Sequence, residues 1–312
     1  MSDQLTNLLM AAVLAGSILS LAALGELISE LVGVINLGVE GIMSLGAVMA
    51  IIVVFAIPSP WLGLGVALLT GMVCGIIFVV ATVIIRANQI LIGLAMTMLG
   101  VGLASFIGHD YAGMPAPATF HSVHVPILYH IPFIGPAFFG QDMVIYFAYF
   151  LIPLAIWIVF FKTRHGLNIR AVGEAPAAAD SVGVRVKAVR CCYVIAGSGL
   201  AGMAGGYLTL SLVPSWSEGM IAGRGWIAVA LVILGHHRPF LSVLASLFFG
   251  LVTVLSFVGQ AKGWPISSFF LDMLPYLLTV FLVIVSRVFR RKNRHDYAPP
   301  AALGQPFMRE MR

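Results

Sequence analysis

Apolar residues run along this chain in blocks of about twenty, the length that crosses the hydrocarbon core of a bilayer as an α-helix. Polar breaks, turns and prolines separate the blocks. The pattern predicts spans at Asn7 to Leu27, Ile35 to Pro58, Trp61 to Ile85, Ile90 to Gly108, Met143 to Phe161, Cys191 to Leu212, Ile221 to Leu234, Phe240 to Gly259 and Phe269 to Val288. The expected fold class is therefore an all-α polytopic membrane protein of about nine (8–10) transmembrane helices. The seventh block is short, and it ends at the turn His236-His237-Arg238-Pro239.

Composition agrees with the pattern. Hydrophobic residues make up 60% of the 312 and charged residues 9%, against roughly 25% charged in a soluble domain. The formal charge of +5 is no footprint of nucleic acid, because the stretch from Arg287 to Arg312 carries all of the excess. That stretch and residues 162–190 together hold thirteen of the seventeen Lys and Arg residues. Basic loops stay on the cytoplasmic side, so both are expected inside and the N-terminus outside. The outer loops are then Pro58–Pro60, His109–Gln141, Val213–Met220 and Gln260–Ser268, in which Lys262 is the one Lys or Arg. The first residues, MSDQLTNLLM, lack a basic start, so a cleaved signal peptide is not expected.

The longest polar interruption among the spans is 162–190, KTRHGLNIRAVGEAPAAADSVGVRVKAVR. Within it Pro176 suits a first helical position, Ala177, Ala178 and Ala179 favour helix, and Gly183 suits the C-terminal cap. Glu174 would lie near the positive end of that short helix. The loop either presents the helix to a partner or serves as a basic topogenic segment alone. The expected division is a transmembrane domain, 1–290, with a cytoplasmic loop at 162–190, and a basic cytoplasmic tail, 291–312.

Two stretches resemble each other. Gly38-Val39-Glu40-Gly41 heads the second span, followed by Pro60-Trp61-Leu62; Gly223-Arg224-Gly225-Trp226 heads the seventh, followed by Pro239-Phe240-Leu241. Each sets a charge between glycines, and the two spans run in opposite directions, so the repeat is inverted. Charges inside a membrane usually face a cavity or a partner. Unwound backbone at the glycines would bring Glu40 and Arg224 together; interfacial positions at the two membrane surfaces would keep them apart.

Other features read as structure. The run Gly197 to Gly206 suits close helix packing, and Pro275 is expected to kink the last span. Glu26 and Glu30 are expected at the cytoplasmic interface, and Asp272 as a cap. Cys74, Cys191 and Cys192 suggest neither disulfide framework nor metal site. His121, His124 and His130 share a loop with no Cys or Glu beside them, so a plain loop is favoured over zinc. No phosphate loop, metalloprotease motif or nucleophile elbow occurs; no enzymatic role, cofactor or metal is expected.

Three segments taken together, Leu24-Gly25-Glu26-Leu27-Ile28-Ser29-Glu30 through Gly33 to Gly41, Arg164 to Glu174, and Ala222 to Ala228, resemble in order and spacing the permease subunits of bacterial ABC importers for simple sugars and nucleosides. These form part of the branched-chain amino acid/ribose permease family, and the resemblance covers roughly residues 5 to 290. It implies a type II importer fold in the bacterial inner membrane. The implied partners are cytoplasmic ABC ATPase subunits, a second permease subunit, identical or related, and an extracytoplasmic substrate-binding protein. It also implies that Gly173, Glu174, Ala177, Ala178 and Gly183 contact the ATPase, and that Asn36, Glu40, Gly41, Arg224 and Trp226 border the substrate pathway. Trp226 or Phe106 could stack on a base, and Asn36 or Glu40 could bond hydroxyls. The competing expectation is an ion-coupled secondary transporter with Glu40 as the ion carrier.

Overall fold

The computed structural model describes residues 2–123, 129, 134–289 and 299–308. Among them the chain is helical, without strands beyond two isolated bridges. The long helices are α1 (Ser2–Leu31), α2 (Val39–Ala56), α3 (Pro60–Val79, continued by a π turn, Val80–Ile84) and α4 (Gln89–Gly108). A short α5 (Ile134–Phe139) precedes a span assembled from α6 (Met143–Tyr146), α7 (Ile152–Trp157) and two π turns, Phe147–Leu151 and Ile158–Lys162. Then come α8 (Arg164–Glu174), α9 (Pro176–Ser181), α10 (Val186–Tyr207), α11 (Arg224–Leu234), α12 (Pro239–Ala261) and α13 (Ser268–Phe289).

Among the described residues seven helical stretches are long and apolar enough to cross a membrane, while α11 and the part of α13 to Leu282 are shorter apolar helices at the seventh and ninth expected spans. Most span limits differ from the sequence pattern by a few residues, and two differences have a clear cause. The second span begins at Val39 rather than Ile35, because the Asn36 side chain accepts the Gly38 N–H at 3.0 Å and holds 34–38 in a turn. The seventh begins at Arg224 rather than Ile221, because Ala222 and Gly223 take φ of 50° and 78°, which no helix contains.

Helices α1, α2 and α10 form the buried centre. Lipid is as apolar as a leucine side chain, so helices in a membrane gain by close packing rather than by leaving their solvent. Glycines permit it here. Gly25 of α1 meets Gly197 of α10, and Gly46 of α2 and Gly71 of α3 both meet Gly202. A Cβ on Gly202 would lie 2.8 Å from the Gly71 Cα, so backbones touch where side chains would hold them apart. The outer helices turn apolar side chains outward; Phe106 of α4 is 81% exposed and Phe269 of α13 is 78% exposed.

Two sets of connections gather at opposite ends of α10, about 33 Å apart at 1.5 Å per residue. At one end loop 109–123 meets 213–216: Gly113 N–H donates to the Trp216 carbonyl at 2.8 Å and Ala116 N–H to that of Pro214 at 2.9 Å. At the other end α8, α9, the end of α1 and residues 299–308 meet. Residues 299–308 thus lie at the same end as α8 and α9.

Candidate functional site

The site is a junction of two helix starts. After α1 the chain turns back along it: Val34 N–H donates to the Ser29 carbonyl at 3.1 Å, and Asn36 N–H to Glu26 Oε1 at 2.8 Å. Helix α2 therefore starts beside the last turns of α1 rather than beyond them. From the other end, 213–223 descends alongside α2. Trp216 is fully buried, with its indole nitrogen against Gly108 and Val48 beside the same glycine. Turns at Gly219, Ala222 and Gly223, all with positive φ, then aim the start of α11 at the start of α2.

Glu40 closes the junction. Its Oε1 accepts the Gly223 N–H and its Oε2 the Gly225 N–H, each at 2.7 Å. The first N–H groups of a helix have no partner within it, and a carboxylate there is favoured by the helix dipole. Gly225 is required by contact: a Cβ would lie 2.5 Å from the Glu40 nitrogen. Arg224 makes no salt bridge with Glu40; its Nη1 donates to the carbonyls of Met220 and Ile221 at 2.7 and 3.0 Å. The two repeats are joined by side chain to backbone, not by an ion pair. The Tyr276 hydroxyl of α13 donates to the Ala222 carbonyl and fixes the turn.

The remaining candidates divide. Asn36 is buried, with Nδ2 donating to Ser198 Oγ at 3.2 Å and Oδ1 accepting from Gly38, so its amide is already engaged. Gly41 packs on Thr97 and Gly100 of α4. Trp226 is 39% exposed beside the junction, whereas Phe106 points outward. Both carboxylate oxygens of Glu40 are held by backbone N–H groups, and an ion-carrier role for Glu40 is not favoured.

Residues 162–190 hold two short helices, α8 and α9, and the first turn of α10. Thr163 caps α8, its Oγ1 accepting the Gly166 N–H at 2.9 Å. Pro176 starts α9, and Gly183 ends it with φ of 88°. Ala177, Ala178 and Gly183 are exposed. Gly173 is buried against Leu31 and Pro300, and Glu174 is exposed with Oε2 accepting the Ala301 N–H at 3.1 Å.

Several polar residues at the site were not anticipated from sequence. Glu26 and Glu30 are 1% and 2% exposed, because 34–38 and the α11–α12 turn fold over them. Nε2 of His237 lies 2.6 Å from Glu30 Oε2, both side chains being buried. The signal was present in the four-residue spacing of Glu26 and Glu30, which puts both on one face of α1. Arg190 is 2% exposed and Asp142 6%. Of the loop histidines, His121 is exposed, and His124 and His130 lie outside the described residues. So does the Asp272 side chain.

Comparison with known proteins agrees with this architecture. The family described as branched-chain amino acid transport system / permease component matches residues 8–285. TsgC13 of Haloferax volcanii, a permease protein named for a glucose ABC transporter, is 36% identical over 98% of this chain and 98% of its own. The nucleoside ABC transporter permease NupC of Lactococcus lactis is 34% identical over 84% of this chain and 86% of its own. The guanosine ABC transporter permease NupQ of Bacillus subtilis is 34% identical over the same shares. No solved structure matches. A match over residues 8–285, carried by an all-α chain with seven helices long and apolar enough to cross a membrane among its described residues, places this protein in the branched-chain amino acid transport system / permease component family.

Proposed function

We propose that the chain is the membrane-spanning permease subunit of an ATP-driven ABC importer, passing a nucleoside or a simple sugar across the cell membrane. The observation that carries the reading is the pair α8–α9, two helices too short to cross a membrane, with exposed Ala177 and Ala178, in a chain whose relatives are permeases of sugar and nucleoside ABC transporters. Small residues let a groove on an ATPase approach closely. Residues 1–290 are then the permease domain, and 162–190 and 291–312 face the cytoplasm. ATPase subunits supply the energy from below, a substrate-binding protein delivers cargo from outside, and a second permease subunit completes the path. The motion is alternating access, in which packed elements rock between two arrangements.

The substrate class rests on chemistry shared by the relatives' named cargoes, a sugar ring with several hydroxyls. Asn36, Glu40, Gly41, Arg224 and Trp226 are the proposed pathway residues, with Trp226 as the exposed aromatic surface. The test is purification of the tagged chain in mild detergent with its bound partners, followed by uptake in reconstituted vesicles. Recovery of an ATPase, its loss on Ala178→Arg, and ATP-dependent uptake of labelled guanosine or glucose would support the reading. A chain that carries solute alone, without ATP, would sink it.

A further inference from the structure

Residues 299–308 follow the last span and fold back onto the joint between α8 and the end of α1. At that joint two glycines meet: a Cβ on Gly33 would lie 3.5 Å from the Gly173 Cα. A contact between glycines has few atoms and little grip. The C-terminal segment fastens it. Ala302 N–H donates to the Gly173 carbonyl at 3.0 Å, and Gly304 N–H to the Gly33 carbonyl at 3.2 Å. Both glycines are buried, so both carbonyls need such partners.

Three further contacts act in the same direction. Arg190, at the start of α10, donates from Nε to the Val32 carbonyl at 3.1 Å and from Nη1 to the Gln305 carbonyl at 2.9 Å. One buried guanidinium thus holds both the segment after α1 and the C-terminal segment. Ala301 N–H donates to Glu174. Phe307 packs on the cluster of Val172, Ala179 and Val186, which joins α8, α9 and α10. Gly304 has φ of 76°, a conformation that other residues adopt at a cost.

We propose that residues 299–308 are a tie that makes the α8–α9 pair and residues 32–38 move as one body. Residues 32–38 lead directly into Glu40, which holds the start of α11. A displacement of α8 then reaches the junction between the repeats through Gly173, the tie, Gly33 and Asn36. Without the tie, α8 slides over Gly33 and the displacement is lost. The tie is a positioning element: it touches no substrate and acts through α8 and 32–38. Its role in transport rests on the function proposed above; its mechanical role does not.

The experiment has two arms, each comparing the full chain with a variant ending at residue 298 and with Gly304→Val. In the first arm the chain alone, in lipid nanodiscs, is followed by hydrogen exchange. Both variants are expected to raise exchange at 32–38 and 171–174 by about tenfold or more while the centres of α1 and α10 stay protected. Unchanged exchange at 32–38 would overturn the tie, whatever the partner. In the second arm the assembled importer is reconstituted and uptake is divided by ATP hydrolysed. The variants are expected to keep the ATPase bound and hydrolysing, with uptake per ATP reduced about tenfold. Equal uptake per ATP would also overturn the proposal. Failure of even the full chain to bind an ATPase, with exchange changed as expected, would refute the importer reading and leave the tie standing.

Discussion

His237 and Glu30, 207 positions apart, face each other in the buried end of α1 at 2.6 Å. His237 sits at φ of 55° directly after His236 at φ of 53°. Two consecutive residues other than glycine with left-handed backbone are uncommon, and the surrounding contacts must hold them. The pair is the clasp by which the α11–α12 turn attaches to α1. Removing one partner leaves the other buried without this hydrogen bond, a loss of about 1–3 kcal/mol. Glu30→Leu and His237→Leu are each expected to lower thermal stability markedly, and the double variant less than the sum of the two. Additive single effects would show that the two residues do not act together.

Glu40 offers a sharper test. Glu40→Ala leaves the Gly223 and Gly225 N–H groups without acceptors, at about 1–3 kcal/mol each. Glu40→Gln keeps one carbonyl acceptor and is expected to retain a substantial part of the uptake, whereas Glu40→Ala abolishes it. An ion carrier would behave differently: Glu40→Gln, unable to titrate, would be as inactive as Glu40→Ala. Initial rates of uptake in vesicles distinguish the two patterns.

Glycines in the centre and at the rim should respond in opposite ways. A Cβ on Gly205 would collide with the Met43 carbonyl, and nothing lies within 4 Å of one on Gly65. Gly205→Val is expected to cost more than the roughly 1–3 kcal/mol of an overpacked core, because backbone must move. Gly65→Ala, in exposed helix, is expected to be neutral or to stabilise by up to about 1 kcal/mol. Thermal unfolding in detergent of both variants checks the contrast, and a destabilised Gly65→Ala would count against the placement of α3.

Asp142 joins α6 to α10. Its Oδ2 accepts from the Tyr207 hydroxyl at 2.6 Å and from Ser211 Oγ at 2.8 Å, and its Oδ1 caps Val144 and Ile145. Asp142→Ala is expected to destabilise by more than the typical 1 kcal/mol of a lost cap, because two hydroxyls lose their acceptor as well. Tyr207→Phe removes one bond and should cost about 0.5–1.5 kcal/mol. A larger loss from Tyr207→Phe than from Asp142→Ala would contradict the hub.

Much of this protein is written locally. Span positions follow from apolar run length, because a bilayer accepts only backbone that is bonded within itself. The α9 helix follows from Pro176, three alanines and Gly183, and the close packing of α10 from its glycines. The likeness of Gly38-Val39-Glu40-Gly41 to Gly223-Arg224-Gly225-Trp226 is local as well. Span length, caps and glycine spacing are short-range properties, and a linear reading finds them.

Tertiary structure decided the rest. Sequence offered Glu40 and Arg224 as opposite charges; the fold gave Glu40 to the backbone of α11, because a helix start already presents N–H groups in need of an acceptor. The spacing of Glu26 and Glu30 puts both on one face of α1, but only the fold shows that the returning segment 34–38 and the α11–α12 turn bury them. Residues 299–308 looked like part of a tail, and no local signal shows that their N–H groups complete Gly33 and Gly173. Each of these outcomes depends on which unpaired backbone groups distant segments bring together, and that is fixed only when the chain is folded.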